Sequence, residues 1–470
     1  STEVNSVFDN ADSNFQVKIA LRPDNQRILH YGKNSYENLF RDVFSDSNII
    51  LFIPNINSVR VFINGHEERA CYRKNEEWVI GDYESEEGEI STNLQRRINK
   101  TIEKGKSRIP EKYKDFEYTK VSFACKHEGA IIKAVDDANL YCYLPTSTSW
   151  GLPFLMNTDM IPKGDRDDIE KDVNLLELNE KEDEVDDYEE KNFNEEIASI
   201  AGTKLFFWVR DLLTSRKYEL GSVFSLIPNF DKCIKEHKDY KEFITKFKDS
   251  FEYVLSKENI VPVKKGIANV NYVVYDTTGL TTSGIMSDEE FFTFSDLEEV
   301  YLPLPMLRTN KPFNRFLKNY AKDDLTFTTE DLHTMIGNKA FQEWLKVQEN
   351  NDRFLNFLLE NNLLEDFLDE KIFIEHECGS LYSAGDLYYD IDEHLIDLKA
   401  FSNHLCYLSF KTREYFSDNT DWENIVNGKF NSFVPDSFVT DTLLSRKNKL
   451  DTIKTLKNEN TSLHFYHFLA

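Results

Sequence analysis

The chain has few of the residues that interrupt regular structure, and it is short of positive charge. Its 470 residues include only 17 Gly and 12 Pro, which excludes collagen-like and proline-rich proteins. The 56 Lys and Arg residues face 83 Asp and Glu residues, so the net charge is −27. Nucleic acids and anionic membranes are bound through clustered Lys and Arg, so neither is an expected partner.

Cysteine is also sparse, and its spacing is uninformative. The six residues stand at positions 71, 125, 142, 233, 378 and 406, and no two form a Cys-x-x-Cys pair. We therefore expect no metal site and reduced, mostly buried thiols, as in a cytoplasmic protein. No apolar run reaches the roughly 18 residues of a membrane helix, and the first residues lack a signal-peptide pattern. The chain starts with Ser1 rather than Met, which fits either a processed protein or a piece of a longer one.

Aromatic residues, by contrast, are abundant, with 36 Phe and 22 Tyr. They supply material for large cores and argue against a disordered chain. The hydrophobic pattern predicts an α/β (α+β) fold, with a mixed sheet in residues 1–163 and a mainly helical half with inserted β-hairpins after it. The predicted strands are 15–23, 48–65 with an internal turn, 71–85, 118–126, 130–135 and 139–145, and the predicted helices of this part are 36–44 and 90–105.

The composition changes abruptly after residue 163. From Asp165 to Glu196 there are 16 Asp or Glu and only 4 Lys or Arg, which predicts an acidic, mobile loop over 164–191. Residues 192–257 predict a helical segment with a core-facing stripe. The basic residues of 96–120 are interpreted as a solvated face or as an intramolecular partner of the acidic block, and contact with nucleotide phosphates or with nucleic acid is the alternative.

Residues 258–470 predict a helix-plus-hairpin region with a weak internal repeat, 258–330 and 370–437. The segments 260–276 and 372–390 each contain a β-rich run, a Gly and a closing Tyr-Asp pair. Two copies are few for a repeat protein, so the sequence leaves open whether the repeat is real.

The most distinctive segment is SWGLPFLMNTDMIPKGDRDDI (149–169), which follows a predicted strand. Its two Gly and two Pro residues indicate an irregular loop, where functional side chains are common. Lys163 and Arg166 on such a loop are suited to holding phosphate oxygens, Arg166 in a bidentate way. The alternative is a surface loop in which Arg166 pairs with the neighbouring Asp165, Asp167 or Asp168.

This segment resembles a motif of the sacsin-like, heat-shock-ninety-type ATPases of the GHKL group. The matching residues are Leu152, Pro153, Phe154, Asn157, Asp159, Arg166 and Ile169. It is also similar to the middle-domain loop of heat-shock-ninety chaperones, whose arginine reaches the γ-phosphate of ATP in a neighbouring domain. The resemblance implies that Arg166 is catalytic, that Lys163 and Asn157 contribute to cofactor binding, and that the whole protein uses ATP and Mg²⁺. Residues 1–163 would then be a GHKL tail plus a middle-type α/β domain.

The pocket motifs of that family are not found in this chain. There is no Asp-x-Gly-x-Gly turn and no Gly-rich phosphate lid, and Asn10 in VFDNADSNF is interpreted as a loop residue. We therefore expect the nucleotide pocket on an upstream domain, and this chain alone to bind no ATP and to be inactive. The resemblance then implies the ATPase-coupling and substrate-handling portion of a larger, chaperone-like protein with unknown clients. The alternative is a non-enzymatic protein-interaction scaffold of the same fold.

Overall fold

The computed structural model describes residues 47–53, 58–63, 66–72, 77–105, 108–136, 138–164, 167–176, 178–179, 184–185, 191–389, 391, 405–434, 437–445 and 448–457. The predicted strand 15–23, the predicted helix 36–44 and the candidate Arg166 lie outside these residues. The described chain contains both helices and strands, which confirms a mixed α and β fold. It divides into two compact units. Unit 1 runs to Ile260 and takes in Lys311–Phe316, and unit 2 comprises Val261–Asn310 and the chain from Leu317 onward.

Unit 1 is a mixed sheet with helices. Its strands are β1 (Ser58–Ile63), β2 (His66–Tyr72), β3 (Trp78–Glu84), β4 (Lys120–Glu128), β5 (Ile131–Lys133), β6 (Asn139–Cys142), β7 (Leu144–Ser149), β8 (Leu155–Asn157), β9 (Leu178–Asn179) and β10 (Glu184–Val185). Its helices are α1 (Thr92–Glu103), α2 (Phe193–Ser215), α3 (Leu220–Val223), α4 (Phe230–Glu236) and α5 (Lys241–Lys257). The main sheet has the order β3-β4-β8-β6-β7, with β5 paired to β4. Only the β6–β8 pair is parallel.

Helix α2 covers this sheet, as its apolar spacing predicts. The predicted stripe is formed by Ile197, Ala201, Leu205, Trp208 and Leu212, and all five side chains are buried. The Trp208 ring stacks on Phe123 of β4 with 5.1 Å between ring centroids. Asn192 caps the helix by accepting from the backbone N–H groups of residues 194 and 195. On its other side α2 packs against α5 so closely that a Cβ at Gly202 would overlap the Phe247 carbonyl oxygen. Glycine at this position is therefore a packing requirement.

The first part of the predicted strand-turn-strand 48–65 is wrong. Residues Ser47–Ile50 form a 3₁₀ turn, and the following Leu51 and Phe52 are buried against Trp78 and Tyr141. The run is continuously apolar and does not alternate, so its pattern could not distinguish a strand from another buried segment. The second part does form β1, which pairs with β2 in antiparallel fashion.

The predicted mobile loop 164–191 begins inside the fold, which corrects that prediction for residues 167–176. Val173 and Leu175 are buried, and residue 174 bridges residue 192. The buried Arg97 of α1 donates from Nε to the Leu176 carbonyl at 3.0 Å. The reason is that the buried Val173 and Leu175 alternate with the exposed Asp172 and Asn174, so this part of the segment buries one side and exposes the other. A count of the charges in the block does not reveal this alternation.

The acidic block is also not a boundary between domains. The predicted helical segment 192–257 lies in the same unit as the sheet of residues 78–157, and the chain divides at Ile260 instead. Because the stripe of α2 is the surface that covers the sheet, the two predicted domains share one core and form one unit.

Unit 2 is mainly helical with short strands. Its helices are α6 (Asp288–Ser295), α7 (Pro305–Arg308), α8 (Lys311–Tyr320, divided between the units), α9 (Thr329–Ile336), α10 (Lys339–Leu345), α11 (Gln348–Glu360), α12 (Phe410–Tyr415), α13 (Thr420–Val426) and α14 (Lys449–Thr455). Its strands are β11 (Val261–Val263), β12 (Gly266–Ala268), β13 (Tyr275–Asp276), β14 (Thr326–Phe327), β15 (Phe373–Ile374) and β16 (Leu381–Tyr382). A Phe- and Leu-rich cluster extending from Val274 to Phe430 forms its main core.

Unit 2 contains one local arrangement twice. Each of the hairpins β11–β12 and β15–β16 is followed by a 3₁₀ turn, Val270–Tyr272 or Ala384–Asp386. The end of each first strand then bridges a later segment in antiparallel fashion, Val263 with Pro303 and Glu375 with Leu408. After each 3₁₀ turn a residue pairs with the same later segment in parallel fashion, Val273 with Tyr301 and Tyr388 with Tyr407. A short helix, α7 or α12, follows that later segment. A repeat in the sequence stays a prediction, but these two segments share their backbone arrangement.

The described helices also bear on membrane insertion. None of those helices combines the length and the apolar character that crossing a lipid bilayer requires.

Candidate functional site

The candidate residues lie on the chain that leaves the sheet after β8. Pro162 and Ile169 pair in antiparallel fashion, and the Lys163 backbone N–H donates to the Asp168 carbonyl at 2.7 Å. Residues 161–164 and 167–170 therefore form the two arms of a short hairpin, called the 161–170 hairpin. The structure describes Gly164 and Asp167 of this hairpin, and both are exposed.

The base of the hairpin is held by Asn194 from the first turn of α2. This side chain is fully buried, and its Oδ1 accepts from the Ile161 backbone N–H at 2.8 Å. Its Nδ2 donates to the carbonyls of Ile161 at 3.0 Å and Glu170 at 2.7 Å. One amide thus satisfies backbone groups on both arms of the hairpin, as a missing partner strand would.

Asp168 holds the tip of the hairpin. Its Oδ1 accepts from the hydroxyls of Thr148 at 2.7 Å and Tyr240 at 2.6 Å and from the backbone N–H of Ile169 at 2.8 Å. Its Oδ2 accepts from the Lys163 ammonium at 2.8 Å. The carboxylate therefore fixes the loop to β7 on one side and to the segment before α5 on the other.

These contacts also set the protonation of the group. Burial by itself raises the pKa of Asp168, but the hydrogen bonds from Lys163, Tyr240 and Thr148 outweigh it and lower the pKa to about 2. Burial, followed by the bond to Asp168, raises the pKa of Tyr240 to about 12. At neutral pH Asp168 is thus an anion, and Tyr240 is a neutral donor to it.

Asn157 and Asp159 of the motif hold a strained turn between β6 and β7. Tyr143 has a φ of 67°, a left-handed conformation that is unfavourable for a bulky residue. Asn157 is 4% exposed, and its Oδ1 accepts from the Tyr143 backbone N–H at 2.7 Å. Asp159 Oδ1 accepts from the Tyr143 hydroxyl, also at 2.7 Å, while its Oδ2 accepts from Thr119 and Lys120. The predicted single strand 139–145 is divided at this turn.

Of the three predicted site residues the structure describes Lys163 and Asn157, and the two make different contacts. Lys163 lies on the hairpin with its side chain 42% exposed, and it is paired with Asp168. Asn157 is the last residue of β8, and its side-chain carbonyl oxygen accepts from the Tyr143 backbone N–H. Arg166 is outside the described residues. Asp168, which the sequence offered as a partner for Arg166, already accepts from four donors.

Sequence reasoning missed three residues that position this hairpin. Asp168 was considered only as a partner for an arginine, and Asn194 only as part of a helix start. Tyr240 is 72 residues from Asp168 in the chain, so no local pattern connects them. Within the basic stretch, Arg108 forms an ion pair with Glu170 of the acidic block at 2.8 Å.

The described residues offer no ready-made metal centre, since no three His, Cys, Asp or Glu side chains among them are grouped as ligands. A cavity of about 400 Å³ belongs to unit 2, and Arg353, Asn356, Glu360 and Tyr415 are among its lining residues. It is therefore separate from the site described above. Neither a family model nor a curated protein nor a solved structure matches this chain.

Proposed function

We propose that this chain is the ATPase-coupling and substrate-handling portion of a larger sacsin-like, heat-shock-ninety-like ATPase. In this proposal Arg166 completes a nucleotide site that an upstream domain mainly forms. The supporting observation is the anchoring of the 161–170 hairpin by Asn194 at its base and Asp168 at its tip. An arginine that stabilises a transferring phosphoryl group must be held in position before the reaction, because ordering it during the reaction would cost entropy.

The charges of the hairpin support the same role. Among the described residues four donors hold the Asp168 carboxylate, and none of them is an arginine. An arginine finger that contacts the γ-phosphate is worth roughly 10³-fold or more in rate. Lys163 would act more weakly, since its ammonium is already paired and is a less directional phosphate ligand than a guanidinium. Asn157 would act indirectly in this proposal, by holding the Tyr143 turn.

The proposal assigns ATP and Mg²⁺ to the upstream domain. The hairpin can supply a contact to a phosphate group, whereas the adenine and the metal need an enclosing pocket and carboxylate or amide ligands. Unit 1 would include the middle-type domain, and unit 2 would handle clients, in a cytoplasmic, multidomain protein. The isolated chain should therefore show neither ATP hydrolysis nor tight nucleotide binding.

Arg166→Ala in the full-length parent protein tests the proposal. We expect ATP hydrolysis to fall by about 10³-fold or more, on the order of 4 kcal/mol, while the unfolding temperature stays unchanged. Lys163→Ala should have a smaller effect. Arg96→Ala, an exposed arginine on α1, is the matched control and should hydrolyse ATP at the wild-type rate. An Arg166→Ala protein with wild-type hydrolysis would contradict the catalytic role.

The alternative is a non-enzymatic interaction scaffold, and the repeated hairpin arrangement of unit 2 favours it. Arrangements that recur along a chain commonly form extended binding surfaces. The parent gene distinguishes the two proposals. An Asp-x-Gly-x-Gly turn upstream of Ser1 would support the ATPase, whereas a parent protein without one would support the scaffold.

A further inference from the structure

The cavity of unit 2 carries two opposite charges on one face of helix α11. Arg353 and Glu360 both line it, and they are seven residues apart, nearly two full turns, so they lie on the same face of the helix. At a rise of about 1.5 Å per residue, their Cα atoms are about 10 Å apart along the helix axis. Side chains on a helix tilt in one direction, toward its N-terminus, so we expect a similar separation between the two charged groups.

Neither charge is neutralised within the described part of the chain. The Arg353 guanidinium donates from Nη2 to the Gly284 carbonyl at 2.6 Å, and no described carboxylate lies within ion-pair distance of it. Glu290 interacts with Arg353 from farther away, but the Glu290 carboxylate is used to cap the start of α6. Glu360 accepts through Oε1 from the neutral Asn356 amide at 3.0 Å, and no described Lys or Arg pairs with it. Both charges are therefore available to a ligand.

The wall opposite α11 is a polar loop that is held in place. The Asp276 carboxylate fixes the loop 276–284 by accepting from three of its backbone N–H groups. Thr282 on this loop lines the cavity, and its hydroxyl donates to the Gly279 carbonyl, so its oxygen can still accept from a ligand. Asn361, after the end of α11, faces the loop, because a Cβ at Gly279 would lie 3.8 Å from Asn361 Oδ1. The cavity is therefore preformed, and its volume falls within the range of small-molecule sites, about 300–1,000 Å³.

The two charges and their spacing indicate which ligand fits. A purely anionic ligand would be repelled by Glu360 and a purely cationic one by Arg353, so a ligand with both charges fits best. Glu360 is the last residue of α11, where the helix dipole is negative, so a ligand ammonium belongs at this end and a carboxylate at Arg353. An extended peptide spans about 3.5 Å per residue, so a separation of about 10 Å corresponds to about three residues.

We infer that the unit 2 cavity binds a short peptide with free ends, of about three residues, with its terminal carboxylate on Arg353 and its terminal ammonium on Glu360. A guanidinium binds a carboxylate through two parallel hydrogen bonds, and the Nε and Nη1 donors of Arg353 bond no described residue. Tyr415 also lines the cavity and is 53% exposed, so its ring offers an apolar surface to the side chains of the peptide. This inference does not rest on the proposed ATPase role, so each can fail without the other.

Binding of tripeptides to the full chain tests this inference. The probe is a mixture of tripeptides with randomised side chains and free ends, and saturation-transfer NMR detects which of them bind. We expect binders with dissociation constants of about 1 mM or below. The same peptides with an acetylated N-terminus or an amidated C-terminus should bind at least about tenfold more weakly, and so should single amino acids. These comparisons need no protein variant, so a folding defect cannot obscure the result.

Two variants that each remove one charge locate the site. Arg353→Gln and Glu360→Gln should each weaken binding of the free tripeptides by about tenfold or more. In Arg353→Gln, free and amidated peptides should bind equally, because the carboxylate has lost its partner. Lys346→Gln and Glu349→Gln are matched controls, exposed and outside the cavity lining, and should bind normally. A folded chain that binds no tripeptide, binding that capping the peptide ends does not change, or binding that both charge variants retain would overturn the inference.

Discussion

The Asp168→Asn substitution tests whether the carboxylate at the hairpin tip stabilises the fold in its charged form. Asparagine has nearly the same shape, so the packing is kept while the charge is lost. The hydroxyls of Thr148 and Tyr240 keep an acceptor, but the Lys163 ammonium loses its anion. We therefore expect unit 1 to become less stable at neutral pH.

The magnitude follows from the pKa of this group. A fall from the ordinary 3.8 to about 2 corresponds to roughly 2.4 kcal/mol at neutral pH. The Asp168 side chain is 18% exposed and its ammonium partner 42%, so water screens part of the attraction. We expect Asp168→Asn to lower the free energy of unfolding by about 1–2 kcal/mol at pH 7.

The pH dependence has a definite sign. The folded pKa lies below the unfolded one, so this stabilisation is complete above about pH 5 and is lost as the pH falls toward 2. The difference between wild type and Asp168→Asn should therefore shrink to about half by pH 3. Urea unfolding of both proteins, followed at a series of pH values from 7 to 3, measures this difference.

A matched control separates the site from general charge effects. Asp231→Asn removes an 87% exposed carboxylate that is paired with Lys248 in the same unit, and it should change the unfolding free energy little at any pH. If the effect of Asp168→Asn were as small as that of Asp231→Asn at pH 7, or did not shrink toward pH 3, the carboxylate would not act as argued.

Three further predictions concern packing and buried polar groups. Gly202→Ala forces α2 away from α5 and should lower the free energy of unfolding by about 1–3 kcal/mol, whereas Gly164→Ala, with open space around it, should not destabilise the chain; urea unfolding measures both. Asn194→Ala removes the side-chain partner of the Ile161 N–H and the Glu170 carbonyl, while the Ile161 carbonyl keeps the Glu170 N–H, and it should cost about 2–4 kcal/mol in the same assay. Arg308→Met removes a 7% exposed guanidinium from a buried ion pair and should cost about 2–4 kcal/mol, while Lys264→Met, at an exposed pair of equal length, should leave the unfolding midpoint unchanged.

Within the candidate site, the sequence predicted features that depend on neighbouring residues and missed contacts between residues far apart in the chain. The loop after β8 was found from its Gly and Pro residues and from its position after a strand. Asn157 was assigned to a nucleotide because it belongs to a family motif, but the structure shows its side chain supporting the Tyr143 turn. Neither Asn194 nor Tyr240 carries a local signal for its role, because each contacts the hairpin across more than 20 residues of chain.

The sequence by itself determined the elements whose signals are local. Apolar spacing of three and four residues identified α2, and β-rich runs around Gly266 and Gly379 identified the two hairpins. Such patterns work because hydrogen bonding and side-chain direction within one element repeat along the chain.

Tertiary structure alone decided which side of each element is buried and which polar groups meet. The apolar run before β1 lies in a buried turn, and Val173 is buried although it belongs to an acidic block. Asp168 accepts a hydrogen bond from Tyr240, which is 72 residues away in the chain. The physical reason is that the burial of a residue and the partners of a polar group depend on what other elements pack there, and no periodicity within one segment records that.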